Sequence, residues 1–171
     1  AEQTAQFQQA MNNGGTAAEI AEISAHLAFY AGCGNAKAAA AMAAEGFQTQ
    51  GIDTSNLPGD DIIPLPLDEK AEEQRAQHVG NLFATVSPGV VKFTTEAVFN
   101  DLWLRPDLAP RDRSLVTASA LVANGQVAQS TFHLNNAMVN CLTQLQAGVV
   151  LPHLAVYSCL PTVVPFSEEP C

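Results

Sequence analysis

An all-helical fold is what this sequence predicts, and three observations point to it. Apolar residues recur at spacings of three and four in several stretches, strand-type alternation is lacking, and one helical segment is written twice. Ala10-Met11-Asn12-Asn13-Gly14-Gly15-Thr16 leads to His26-Leu27-Ala28-Phe29-Tyr30. The same pattern returns as Ala137-Met138-Val139-Asn140-Cys141-Leu142-Thr143 leading to His153-Leu154-Ala155-Val156-Tyr157, at a constant offset of 127 residues. Ala, Met, Asn, Thr, His, Leu, Ala and Tyr recur in place with no gap, which marks a duplicated structural unit.

The elements follow in order. Residues from about 3 to 46 read as helices. Thr16-Ala17-Ala18-Glu19 is a capping-box pattern in which the Thr hydroxyl and the Glu carboxylate satisfy free N–H groups of a first turn, so a helix starts at Thr16. Ile20, Ile23, Leu27 and Tyr30 give it an apolar stripe, and Gly32 and Gly34 are expected to close it. The alanine-rich run Ala36 to Ala44 forms the next helix, whose small side chains admit a close neighbour. Gly51, Pro58, Gly59, Pro64 and Pro66 then mark a linker. Helical patterning resumes near Asp68 and breaks at Ser87-Pro88-Gly89, at Arg105 to Pro110, and at Asn124-Gly125. Pro110 opens a helix in its first turn, where a missing N–H costs nothing. This segmentation gives a partial unit over 1–48, a linker over 49–67 and a domain over 68–171.

Composition narrows the function classes. The 171 residues are 47% apolar, enough for a packed core, and no stretch approaches the roughly 18 to 20 uninterrupted apolar residues of a membrane span. A net charge of −10 with only 7 Lys and Arg removes the electrostatic basis for nucleic-acid binding. Lys37 stands alone; the other cations fall between residues 70 and 113, a concentration that fits a small anionic substrate. The Ala1-Glu2-Gln3 start has no basic, apolar signal character, so a cytoplasmic location is expected, with export after signal removal as the alternative. Cys33, Cys141, Cys159 and Cys171 show no metal-finger spacing and are expected to be reduced, small core residues. Cys141 and Cys159 lie about 27 Å apart along one straight helix, too far to bridge.

Leu102-Trp103-Leu104-Arg105-Pro106, then Arg111-Asp112-Arg113-Ser114-Leu115-Val116-Thr117, then Phe132-His133-Leu134, then the paired His-Leu-Ala-x-Tyr segments resemble the carboxymuconolactone decarboxylase family. The likeness covers about 75 to 166 as one nearly complete unit and about 5 to 46 as the latter half of another. It implies a helical bundle of the alkylhydroperoxidase D type, ring-shaped homo-oligomers built from trimers, and cofactor-free loss of CO2 from a carboxylated lactone. Both copies depart from the family pattern. In the first, Gln6 stands where the second has His133; in the second, Cys141 replaces a Gly, Gln146 and Gly148 replace two Glu, and Pro152 lies inside the helix.

Decarboxylation of such an acid needs cations for the carboxylate and lactone oxygens and an acid that returns a proton to carbon. Arg111 and Arg113 fit the first task, and His133 and His153 the second. His26, with Glu22 one turn before it, is a further candidate. The plainer alternatives are an ion-pair cluster tying the Arg-Asp-Arg helix to a neighbour, an ordinary surface Glu22–His26 pair, a hydrogen-bonded packing role for His153, a solvated His78, core roles for Trp103 and the Phe residues, and a capping role for Glu19. A metal site from His26, Glu22 and His133 can be drawn, but their separation in sequence makes no metal and no cofactor the expectation. A non-catalytic assembly or ligand-binding module, and a thiol peroxidase using Cys33 or Cys159, are the competing functional readings.

Overall fold

The breaks at Ser87-Pro88-Gly89, Arg105 to Pro110 and Asn124-Gly125 fall at helix boundaries in the computed structural model, which describes residues 2–157. The order is α1 (Glu2–Asn12), α2 (Ala17–Tyr30), α3 (Cys33–Gln50), α4 (Glu69–Phe83) and α5 (Pro88–Phe93), which runs into a π-helix (Thr94–Phe99) and a 3-10 turn (Leu102–Leu104); α6 (Pro110–Ala123), α7 (Val127–Val139) and α8 (Gln144–Tyr157) follow. Among the described residues there is no strand, and the fold is an all-helical bundle.

The chain forms two compact units. One joins residues 1–57 to the chain from Leu108 onward, and the other spans Pro58–Asp107. The first unit joins the two stretches because α2 of the first copy packs on α6, which follows residue 108.

Within the first unit α2 packs on α3 and on α6, and α6 packs most extensively on α7. Ile20, Ala43 and Phe47 form one buried cluster, covered by Phe7, Met11, Ala17, Ile52 and Leu57. Ala137, Leu142 and Ala147 form a second, flanked by Leu115 and Leu134. Fully burying a side chain of the size of Phe47 stabilises by about 1.5–3 kcal/mol, so the first cluster anchors α3 on α2. Thr16 caps α2 as its sequence requires: Glu19 N–H donates to Thr16 Oγ1 at 3.1 Å, and Thr16 N–H donates to the Glu19 carboxylate at 2.8 Å. One expectation changes. Gly32 precedes α3 at φ +86°, whereas Gly34 lies inside α3, whose Gly51 C-cap is left-handed at φ +67°.

The duplicated turn is kept in both copies. Gly15 N–H donates to Ala10 C=O at 3.0 Å and Gly14 N–H to Met11 C=O at 3.0 Å; Leu142 and Cys141 make the matching bonds to Ala137 and Met138 at 2.9 and 3.1 Å. This helix ending needs a left-handed residue, normally Gly. Gly14 supplies it at φ +99°, and Cys141 adopts it at φ +76°, the one positive-φ residue among the described residues that is not Gly.

In the second unit Arg75 is committed to a clasp. Its Nε and Nη2 donate to the Glu72 carboxylate at 2.6 Å each, Nη2 also reaches Thr95 Oγ1 at 2.9 Å, and the guanidinium lies 4.2 Å over the Phe99 ring. Phe99 stacks in turn on Trp103. Leu65 N–H donates to Leu104 C=O at 2.7 Å, and Arg105 Nη2 to Gly59 C=O at 3.1 Å, which holds the linker end against the 3-10 turn.

Candidate functional site

The spacing of four on α2 brings Glu22, His26 and Tyr30 to one helix face, and the same spacing on α6 aligns Arg113 with Thr117. Where α2 crosses α6 these two faces meet. Arg113 Nη2 donates to Glu22 Oε2 at 3.1 Å, Arg113 Nη1 lies 3.3 Å from His26 Nδ1, and His26 Nε2 lies 2.6 Å from Thr117 Oγ1. Glu22 is 1% exposed, and His26 and Arg113 are 0% exposed.

The donor inventory fixes the protonation pattern. A guanidinium only donates, so His26 Nδ1 accepts from Arg113 and the ring proton sits on Nε2. That N–H donates to Thr117, whose own hydroxyl donates to the Arg113 carbonyl at 3.0 Å. The assigned tautomer is a neutral imidazole with both nitrogens engaged. Burial, then the Arg113 charge and His133, push the pKa of His26 down to about 3. His133, on α7, joins through aromatic contacts: Tyr30 stacks on His26 at 4.8 Å between centroids and meets His133 edge-on at 5.7 Å. Burial lowers the His133 pKa to about 4. Both imidazoles are neutral at pH 7, away from the near-neutral titration that an unperturbed histidine offers.

The structure thus brings together four of the residues singled out by sequence: Glu22, His26, Arg113 and His133. Glu22 engages Arg113, which in turn engages His26. Arg111 lies elsewhere. It is half-exposed and forks onto Asp112 at 2.8 and 3.1 Å, which raises its pKa, and it lines a cavity of about 390 Å3 with Leu115, Leu142, Leu145 and Val149. His153 is exposed on α8. His78 is exposed and Trp103 half-buried. Cys33 and Cys141 are free but exposed, contrary to the expectation of core thiols, because both sit at helix boundaries; Cys159 and Cys171 lie outside the described residues. Among the described residues no group of three His, Cys, Asp or Glu is placed to hold a metal ion.

Two members of the network, Tyr30 and Thr117, were not singled out as site residues. Their signal was present in the i, i+4 register with His26 and Arg113. The same register corrects one alignment: the 127-residue offset sets Val149 opposite Glu22, and Gly148 opposite Ala21. A larger cavity, about 550 Å3, runs between α2 and α3 along an alanine-rich wall with Lys37 and Cys33 among its lining residues, away from the histidines.

The family model described as the carboxymuconolactone decarboxylase family matches residues 1–45 and 88–165. The chain belongs to this family. The two matched stretches carry the whole Glu22–Arg113–His26–His133 network, and they skip the linker and α4, as a partial first unit followed by a second one requires. No curated protein matches the chain. In this carboxymuconolactone decarboxylase family member the network does two things: it fixes α6 against α2, and it holds a neutral, buried histidine pair.

Proposed function

We propose that the chain carries a cofactor-independent carboxy-lyase site that acts on a small carboxylated lactone. The observation that supports it is the buried Glu22–Arg113–His26–Thr117 clamp, which sets the cation-bearing start of α6 in register with α2 in a chain of this family. In this reading Arg111 holds the substrate carboxylate or lactone oxygens. The C–CO2 bond breaks, its electron pair passes into the lactone carbonyl as an enolate, and a proton returns to carbon.

His133 is the proposed proton carrier, with exposed His153 as the alternative. His133 is neutral before substrate arrives, and an approaching anion raises its pKa, so the proton is taken up together with the substrate. Glu22, Arg113 and His26 act as positioning residues, tied together through the two terminal nitrogens of the Arg113 guanidinium. The protein working in this way is homo-oligomeric and cytoplasmic; among the described residues no helix is long and apolar enough to cross a membrane.

CO2 release from a panel of carboxylactones tests the reading. Turnover is expected, falling about 10²- to 10⁴-fold in His133→Gln and clearly in Arg111→Met with folding retained. A panel left unchanged at high enzyme concentration overturns it. A second reading, a non-catalytic assembly or ligand-binding module, draws on the complete burial of the clamp and on the exposed apolar side chains of Phe29, Leu145 and Val149. It requires that Arg111 and His133 substitutions change assembly and leave no turnover to lose. The thiol-peroxidase reading, using Cys33 or Cys159, predicts peroxide consumption that Cys→Ser substitution abolishes.

A further inference from the structure

Lys37 stands apart from the other cations in sequence, and the fold gives it separate surroundings. It is exposed one turn into α3, and among the described residues it makes no ion pair, whereas Arg75, Lys92, Arg111 and Arg113 each hold a carboxylate. It lines the cavity of about 550 Å3 between α2 and α3. α2 turns into α3 at Ala31-Gly32 and packs along it, and Ile20, Ala43 and Phe47 join the two helices at the far end. Between these points Ala25 and Ala28 of α2 and Ala40 and Ala44 of α3 line the space with side chains too short to fill it.

Past α3 the left-handed Gly51 turns the chain back, with Ile52 N–H donating to Phe47 C=O at 3.0 Å, and Thr54 and Leu57 wall the Phe47 end. The result is a groove that is apolar along its length and charged at one end. Among the described residues its lining holds no carboxylate, in a chain with 17 Asp and Glu, and its one charged member is Lys37. The Ser24 hydroxyl on its wall is already engaged, donating to Ile20 C=O at 3.0 Å. Lys37 and Phe47 are ten residues apart on α3, a span of about 15 Å. Extended chain advances about 3.5 Å every three bonds, so about twelve bonds cover that span.

We infer that the α2–α3 groove binds an unbranched monocarboxylic acid of about ten to twelve carbons, with its carboxylate on the Lys37 ammonium and its tail along the alanines toward Phe47 and Leu57. A lysine stem lies along apolar surface while its ammonium stays at the water boundary, which is where the head group of such an acid sits. The cavity volume is within the range that takes a small ligand, and the apolar lining supplies binding energy while the one charged group sets orientation. The inference is independent of the proposed carboxy-lyase activity, since neither Arg111 nor any residue of the Glu22–Arg113–His26–His133 network lines the groove.

Calorimetric titration of the full chain with hexanoate, octanoate, decanoate and octanol, all below micelle-forming concentrations, tests the proposal. One site per chain is expected, with affinity rising about threefold per added methylene, and with octanoate about three- to tenfold tighter than octanol. Lys37→Met, at an exposed position, should remove that preference and leave octanol binding unchanged. Ala40→Phe, with helicity and urea midpoint retained, should fill the groove and weaken every member of the series. Cys33 lines the groove and Cys141 does not, so saturating decanoate should slow iodoacetamide alkylation of Cys33 about tenfold and leave Cys141 unaffected, which locates the site without any substitution. Absence of saturable decanoate binding, affinity independent of chain length, equal loss of octanoate and octanol in Lys37→Met, undiminished binding in Ala40→Phe, or unprotected Cys33 overturns the proposal. So does an oligomer, seen by sedimentation, that Ala40→Phe dissociates and decanoate does not, because a second copy then occupies the groove.

Discussion

The two copies of the repeat, α1–α2 and α7–α8, share a backbone and differ in what their matching side chains do. The Thr16–Glu19 capping box recurs as Thr143–Gln146, with Gln146 N–H donating to Thr143 Oγ1 at 3.2 Å and Thr143 N–H to Gln146 Oε1 at 2.9 Å. The left-handed turn recurs with Cys141 in place of Gly14. One turn further along the helix the copies part: Glu22 and His26 are buried against α6, while Val149 and His153 face solvent. Local hydrogen bonding within a turn needs only neighbours in sequence and so survives replacement of Glu by Gln or Gly by Cys. The buried network needs the Arg113 and Thr117 side chains of α6, and among the described residues these meet Glu22 and His26 of the first copy.

The largest effect should come from breaking the network that the first copy alone possesses. Arg113→Leu strands the Glu22 carboxylate in a solvent-free site and is expected to cost about 3–5 kcal/mol, read as a drop in urea midpoint. The second copy shows the remedy: Glu22→Val together with Arg113→Leu should recover most of that loss, since an apolar pair of similar volume replaces a buried ion pair at little net cost. If the double variant is as unstable as the single one, the clamp is more than an ion pair.

Acid should act on the same copy next. His26 and His133 have folded pKa values of about 3 and about 4, below the unfolded value near 6.5, so the unfolded chain binds more protons as pH falls. Their stabilising contribution is complete above pH 6.5 and is lost as pH drops toward 4, at about 1 kcal/mol per pH unit for each histidine. Urea midpoints at pH 7.5, 6 and 5 measure this slope. His133→Gln is expected to reduce it by about half.

The turn gives a smaller effect of opposite sign in the two copies. Cys141→Gly relieves a left-handed backbone and should stabilise by about 1 kcal/mol, seen as a raised melting temperature, while Gly14→Ala should destabilise by about as much. The caps should give the smallest and most equal response, with Thr16→Ala and Thr143→Ala each costing about 0.5–1 kcal/mol of thermal stability. A marked inequality between the two would show that the caps carry tertiary as well as local energy.

Residue patterns alone determined the all-helical class, the cap at Thr16, the helix start at Pro110 and the family, because each rests on spacings, turn chemistry and motifs read along the chain. Four of the six candidate site residues were also brought together, since helical registers of four align them before any packing is known. What tertiary structure decided was which face each helix buries. It paired Glu22 with Arg113, placed His153 and both described cysteines at the surface, set Arg111 beside a cavity lined by α8, and drew Tyr30 and Thr117 into the network. Burial and charge pairing across 91 residues of sequence depend on how α2 crosses α6, and no local pattern encodes that crossing.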